Sequence, residues 1–249
     1  MLPRVFITAT GALGATCRVE GEDGHHYARV LRVKPGEQLV AAMRDGPWLA
    51  QITEVSANGV QLRLEAPYRS AEPTASVTLV QGVAKGDKME TVIQKCTEIG
   101  AASFIAYQAQ RSVVRLQAKA DSKLLRWHKV AREAAMQSQR DRVPEISYAQ
   151  NLVELCRMLK QDDVEQILVL DEAEEATGLV SALTRVNSAT AKRALLIGPE
   201  GGWSEAERDV LRRLERTTLI TLGPRILRTE TAGAAALAVT LAHFGDMGG

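Results

Sequence analysis

Five short apolar runs, near Val77–Gln81, Ser103–Tyr107, Gln166–Leu170, Arg193–Ile197 and Thr218–Leu222, alternate with stretches of helical periodicity. That alternation confines the chain beyond residue 70 to an α/β fold, a mainly parallel sheet with helices covering its faces. Two of the runs end in glycine-bearing segments: Leu195-Leu196-Ile197-Gly198-Pro199-Glu200-Gly201-Gly202, and Leu222-Gly223-Pro224-Arg225-Ile226-Leu227-Arg228-Thr229-Glu230-Thr231-Ala232. Each leads into a helix, so each puts exposed backbone at the carboxyl edge of the sheet, where open α/β folds bind ligands. Together they predict one pocket.

The first 66 residues read differently. Apolar runs at 38–43, 49–55 and 60–64 are separated by Pro35-Gly36, Asp45-Gly46-Pro47 and Asn58-Gly59, the turn chemistry of a small β-rich domain. Pro67 to Thr74 reads as a linker, so the expected domains are 1–70 and 75–249. At 249 residues and 45% hydrophobic, the chain can bury a core in each. It lacks an apolar run of about 18 residues and a basic, then apolar, leader, which predicts a cytoplasmic protein with no membrane partner. Cys17, Cys96 and Cys156 are isolated from one another, matching neither a disulfide framework nor a metal cluster, so reduced thiols and no metal are expected.

The net charge of +1 conceals segregation. Residues 111–142 hold nine Lys/Arg against three Asp/Glu, a local excess of six, whereas residues 161–184 hold seven acids and no Lys or Arg. A helix predicted over 87–99 buries Met89, Val92, Ile93, Cys96 and Ile99, stops at Gly100, and turns Lys88, Thr91, Lys95 and Glu98 to the other side. A second, over 122–139, carries Lys123, Arg126, Lys129 and Arg132, with Glu133, Gln137 and Arg140 projecting together near its end. The first face suits either a polyanion, with Lys85, Lys88 and Lys95 on phosphates, or plain solvation softened by salt bridges; the mixed polarity of the second suits RNA or a subunit interface.

The glycine segments exclude two common readings. Gly198–Gly202 lacks the Lys-Ser/Thr ending of a phosphate-binding P-loop and the Gly-x-Gly-x-x-Gly spacing of a dinucleotide site. Ser204 and Glu207 form a capping box, starting a helix that runs to about Leu214. The Gly223–Thr231 linker sets two arginines, a glutamate and two threonines between buried elements. Caps and salt bridges account for the threonines and arginines, but not for Ile226-Leu227, which a ligand's flat ring can use.

At these residues the chain resembles the bacterial methyltransferases that modify N3 of a uridine in 16S ribosomal RNA, within the SPOUT superfamily. The resemblance rests on the two glycine segments, joined in order by Lys85-Gly86-Asp87-Lys88-Met89-Glu90, Lys95 with Thr97-Glu98-Ile99-Gly100, Arg111-Ser112-Val113, Glu133-Ala134 with Gln137 and Arg140, and the N-terminal Asp23-Gly24-His25-His26-Tyr27-Ala28-Arg29-Val30-Leu31-Arg32. It spans nearly the whole chain. Ile99 stands where that family often has Leu, a change of packing only.

The resemblance implies an RNA-binding PUA-like β-barrel at the N-terminus, a C-terminal SPOUT domain with a deep trefoil knot, a homodimer, and the cofactor S-adenosylmethionine (SAM). The cofactor would sit against Leu170, Leu196, Ile197, Gly198, Pro199, Glu200, Gly201, Gly202, Leu222, Gly223, Ile226, Leu227, Arg228 and Thr229. The substrate implied is 16S ribosomal RNA within the small ribosomal subunit. Uridine N3 carries a proton on the pairing edge, so the base must be unpaired and its imide deprotonated. Arg228 is the candidate for stabilising the resulting anion, and Glu230 or Glu200 for taking the proton. His26, Arg29 and Arg32 on the barrel, with Lys85, Lys88, Lys95, Arg111 and Arg140 on the catalytic domain, are the candidate RNA contacts. Two rival readings use the same features: a non-catalytic RNA-binding protein of ribosome assembly, and a phosphate-ester hydrolase with the glycine loop as an anion nest. The first leaves the glycine loops without a role, and the second lacks an Asp/His metal cluster.

Overall fold

A computed structural model describes residues 2–248. They fall into two compact units, one made of residues 2–72 with 135–142, the other of 73–134 with 143–248.

The first unit contains β1 (Arg4–Phe6), β2 (Thr16–Val19), a one-turn helix α1 (Gly21–His25), β3 (Gln38–Met43), β4 (Gly46–Ser56) and β5 (Gly59–Pro67). The strands form one sheet in the order β1-β3-β4-β5-β2, antiparallel except for β1 beside β3. Alternation puts Leu39, Ala41, Ala50, Ile52, Leu62 and Leu64 into one core with Val5 and Tyr27. The register shifts twice between β4 and β5, at Leu49/Ala50 and Ile52/Glu54, and such bulges increase the local twist of a sheet.

The second unit runs β6 (Val77–Gly82), α2 (Lys88–Ile99), β7 (Ser103–Tyr107), α3 (Ala120–Gln137), β8 (Glu145–Ala149), α4 (Leu152–Gln161), β9 (Gln166–Leu170), α5 (Leu179–Leu183), β10 (Arg193–Ile197), α6 (Glu205–Arg213), β11 (Thr217–Ile220) and α7 (Thr229–His243), with the last residues of α3 belonging to the first unit. All six strands are parallel, in the order β11-β9-β10-β6-β7-β8. A wholly parallel sheet is covered on both faces, and every residue of β9 and β10 is buried. One face packs Leu79, Leu168, Leu195 and Ile197 against Val92, Ile93, Trp127, Leu237 and Leu241. The other packs Val80, Val169 and Leu196 against Leu155, Leu159, Trp203 and Leu211.

Strand β10 is laid down late yet lies between β9 and β6, in register with both. Its carboxyl end therefore opens between those of its neighbours, which gathers the loops after β9, β10 and β11 along one edge.

Candidate active site

The two glycine segments meet. Gly198–Gly202 follows β10, Thr221–Arg228 follows β11, and both line a single cavity of about 950 Å³ together with Leu170, Asp171, Glu172, Glu174 and Glu175 after β9. The segments are tied at the base of this cavity. Thr229, the first residue of α7, donates its hydroxyl to the Gly198 carbonyl at 2.6 Å, and accepts from Gln81 Nε2 at 2.7 Å. Gly82 follows Gln81 and lets the first loop close on β6, since a Cβ there would stand 2.5 Å from the Pro199 nitrogen.

The first loop is braced from behind. Trp203, fully buried, donates Nε1 to the Leu170 carbonyl at 2.8 Å and stacks on Tyr107 at 5.9 Å. Tyr107 in turn donates its hydroxyl to Glu207, which also accepts from the Gln110 N–H and closes the capping box with Ser204. Burial pushes the Glu207 carboxyl upward, but the hydrogen bonds from Tyr107, Gln110 and Ser204 outweigh it and hold the group below the usual carboxylate range. An ionised, fully bonded carboxylate thus fixes the start of α6.

At the cavity edge three charges converge from distant parts of the chain. Lys88 Nζ, at the first turn of α2, lies 3.2 Å from Glu200 Oε1 and 3.3 Å from Glu230 Oε2. Burial raises the Glu200 carboxyl, but its own backbone N–H, the Lys85 N–H at 3.2 Å and the Lys88 ammonium prevail and lower it. Glu230 is lowered first by its own backbone N–H, at the amino end of α7; burial opposes this, and Lys88 and then Arg228 add to the lowering. Burial alone would lower Lys88, yet the two carboxylates raise it. Lys88, Glu200 and Arg228 line the cavity, whereas Glu230 does not.

Of the residues expected around a cofactor, every one lines the cavity except Leu196. Strand alternation turns Leu196 to the opposite face, where it packs with Val80, Val169 and Trp203. Leu170 and Ile197 face the cavity from neighbouring strands in register.

The expected RNA contacts scatter more. Arg29 is exposed and His26 half-buried, edge-on to Tyr27, in the π-helical segment His26–Val30 that continues α1, and Arg32 is exposed just beyond it. Lys85 and Arg111 are exposed and flank the first loop, Arg111 donating to the Gly201 carbonyl at 3.3 Å. Lys95 lies two turns along α2 from Lys88 and pairs with Glu98 at 3.0 Å. Arg140 departs from expectation. Helix α3 ends at Gln137 and Gln139 takes φ 62°, so Arg140 leaves the line of Glu133 and Gln137. Its side chain is 4% exposed and ion-paired with Glu72, a structural contact within the first unit rather than a phosphate ligand.

Sequence reasoning missed Gln81, Gly82, Asp171 and the acids at 172, 174 and 175 as parts of this site. The acids were visible as a charge run, but only the sheet order brings the end of β9 beside the two glycine loops.

The outcome of comparison with known proteins agrees with this geometry. A family model described as an RNA methyltransferase domain matches residues 70–241, and one described as an RNA methyltransferase PUA domain matches residues 19–65. The chain belongs to the RNA methyltransferase family. Among relatives of this RNA methyltransferase is the Bacillus subtilis protein named ribosomal RNA small subunit methyltransferase E, 39% identical over 228 residues, covering 89% of this chain and 88% of that one. The protein of the same name from Mycobacterium bovis is 35% identical, with 90% and 85% covered. The crystal structure of ribosomal RNA small subunit methyltransferase E from Neisseria gonorrhoeae, bound to S-adenosyl methionine, superposes with a TM-score of 0.80 at 26% identity over 97% of this chain and 98% of that one.

Proposed function

We propose that this RNA methyltransferase uses SAM to methylate 16S ribosomal RNA of the small ribosomal subunit, at N3 of a uridine. The observation that carries the reading is the convergence of the Gly198–Gly202 and Thr221–Thr229 loops on one cavity.

The residues present fit the cofactor. Leu170, Ile197, Leu222, Ile226 and Leu227 offer apolar surface for a flat ring, and Ile226 is 87% exposed. Backbone at Gly198, Gly202 and Gly223 allows close approach; a Cβ on Gly202 would collide with the Glu172 carboxylate. The carboxylates of Glu174 and Glu175 complement a ligand carrying a sulfonium and an ammonium, whereas those of Asp171 and Glu172 are paired with Arg208 at 3.0 and 3.2 Å. Gln81 Oε1, on the side chain that bonds Thr229, is buried without a hydrogen-bond donor among the described residues.

When bound, SAM supplies an electrophilic methyl carbon, so the chain need only position the acceptor and manage its proton. Arg228 at the cavity wall balances the charge that grows on the uracil oxygens as the imide ionises. Glu200, already ionised and lining the cavity, accepts the N3 proton, with Glu230 as the second carboxylate of the pair. The nitrogen pair then bonds the methyl carbon, and the carbon–sulfur electrons remain on sulfur. His26, Arg29 and Arg32 on the first unit, and Lys85, Lys95 and Arg111 on the second, hold RNA phosphates. A PUA-like barrel, a trefoil-knotted SPOUT domain and a homodimer complete the reading.

Calorimetry with S-adenosylhomocysteine separates this reading from a non-catalytic RNA-binding protein. One site per chain is expected, and its absence overturns the proposal. Mass spectrometry of ribosomal RNA from cells lacking the protein is expected to show one uridine without its N3 methyl group.

A further inference from the structure

We infer that Lys88 is a positioning residue for the proton acceptor rather than a phosphate contact: its ammonium, ion-paired with both Glu200 and Glu230, holds the Glu200 carboxylate at the cavity wall. The inference rests on the proposed reaction and concerns its proton-transfer step.

Three observations carry it. The ammonium lies within 3.3 Å of both carboxylates, one in the loop after β10 and the other in the first turn of α7, so its charge is paired with them rather than open to a polyanion. Its side chain is only 23% exposed, unlike that of Lys95, whose side chain is 52% exposed on the same helix. Finally, the three groups join the first turn of α2, the loop after β10 and the first turn of α7, the last two of which frame the cavity. A phosphate recruited by Lys88 would have to approach two carboxylates closely, and like-charge repulsion opposes that.

The charges about Glu200 can be set out fully. Lys88 approaches from α2 and Glu230 from α7. Arg228 precedes α7 and lines the same cavity, as does Glu172 from the loop after β9. The Lys85 N–H bonds the carboxylate directly, and Arg111 reaches the neighbouring Gly201 carbonyl. Within this set Lys88 is the cation that touches the carboxylate through its side chain. Removing it leaves Glu200 and Glu230 as unscreened neighbours, which favours protonation; removing Glu230 leaves Lys88 to Glu200 alone, which disfavours it.

Opposite signs make the inference testable. The Glu200 carboxyl signal of the full-length protein, assigned by its loss in Glu200→Gln, would be titrated by carbon NMR in wild type, Lys88→Met, Lys88→Arg and Glu230→Gln. In parallel, single-turnover methylation of small-subunit RNA would be followed against pH. Lys88→Met is expected to move both the titration and the acid limb of the rate to higher pH, Glu230→Gln to lower pH, and Lys88→Arg to leave them near wild type. If Lys88→Met leaves both in place while flattening the salt dependence of RNA binding, Lys88 is a phosphate contact and the inference fails. If Lys88→Met does not fold, an unmoved titration in Glu230→Gln overturns it equally. A wild-type protein that never methylates RNA would sink the proposed reaction instead, and the NMR titration would still decide what Lys88 does to Glu200.

Discussion

Single atoms decide whether the first loop can close. Gly82 has no turn to make, yet any side chain there meets the Pro199 backbone, which sits in a loop pinned by Trp203 and cannot yield as a flexible side chain could. Gly82→Ala is therefore expected to displace the loop and weaken S-adenosylhomocysteine binding at least tenfold, about 1.4 kcal/mol, by calorimetry. Binding at wild-type strength would show that the loop is not held against β6 during recognition. Gly82 was not legible in the sequence, because a lone glycine at a strand end announces a turn and only the sheet order puts Pro199 over it. Gly198–Gly202 was legible, since its glycines cluster where an apolar run stops. Leu196 was read onto the cavity because the segment was taken whole; the alternation of side chains along β10 separates it from Ile197.

Elements were read best where burial imposes a period. The predicted runs at 103–107, 166–170 and 193–197 coincide with β7, β9 and β10, because a strand buried on both faces writes itself as unbroken apolar sequence. Among the short edge strands, β1, β2 and β8 leave no such trace, β8 exposing Glu145 at its start, whereas β11, buried and apolar at Leu219-Ile220, matches the run predicted near 218–222. Helix α6 was found through its cap, not its hydrophobicity. Ser204 Oγ accepts from the Glu207 N–H at 3.2 Å, and Glu207 returns a bond to the Ser204 N–H at 2.9 Å. Ser204→Ala is expected to cost about 1 kcal/mol in urea unfolding. Glu207→Leu should cost more, because it also leaves the buried Tyr107 hydroxyl and Gln110 N–H without their acceptor. Equal losses for the two variants would mean that Glu207 acts only as a cap and does not brace the loop through Tyr107.

At the scale of the whole molecule, the first compact unit is not a continuous stretch of chain, a property invisible to a reading that divides the sequence at the Pro67–Thr74 linker. Residues 135–142 return to it. Asp141 pairs there with Arg4, both nearly buried, and also accepts from the Ser70 hydroxyl and the Ala71 N–H at 2.6 and 2.9 Å. Arg140 pairs with Glu72, whose Oε1 also accepts from the Asp141 N–H at 2.8 Å. Breaking a buried pair by removing one partner costs about 3–5 kcal/mol, because the remaining charge stays desolvated. A fragment that ends at Glu72 loses the partners of both Arg4 and Glu72, and a unit of this size has little stability in excess of that loss. It is expected to show no cooperative thermal transition, whereas the same fragment continued through a Gly/Ser linker into residues 135–142 should recover one. A cooperative melt of the short fragment at the temperature of the longer one would mean that the returning segment rests on a finished domain instead of completing it.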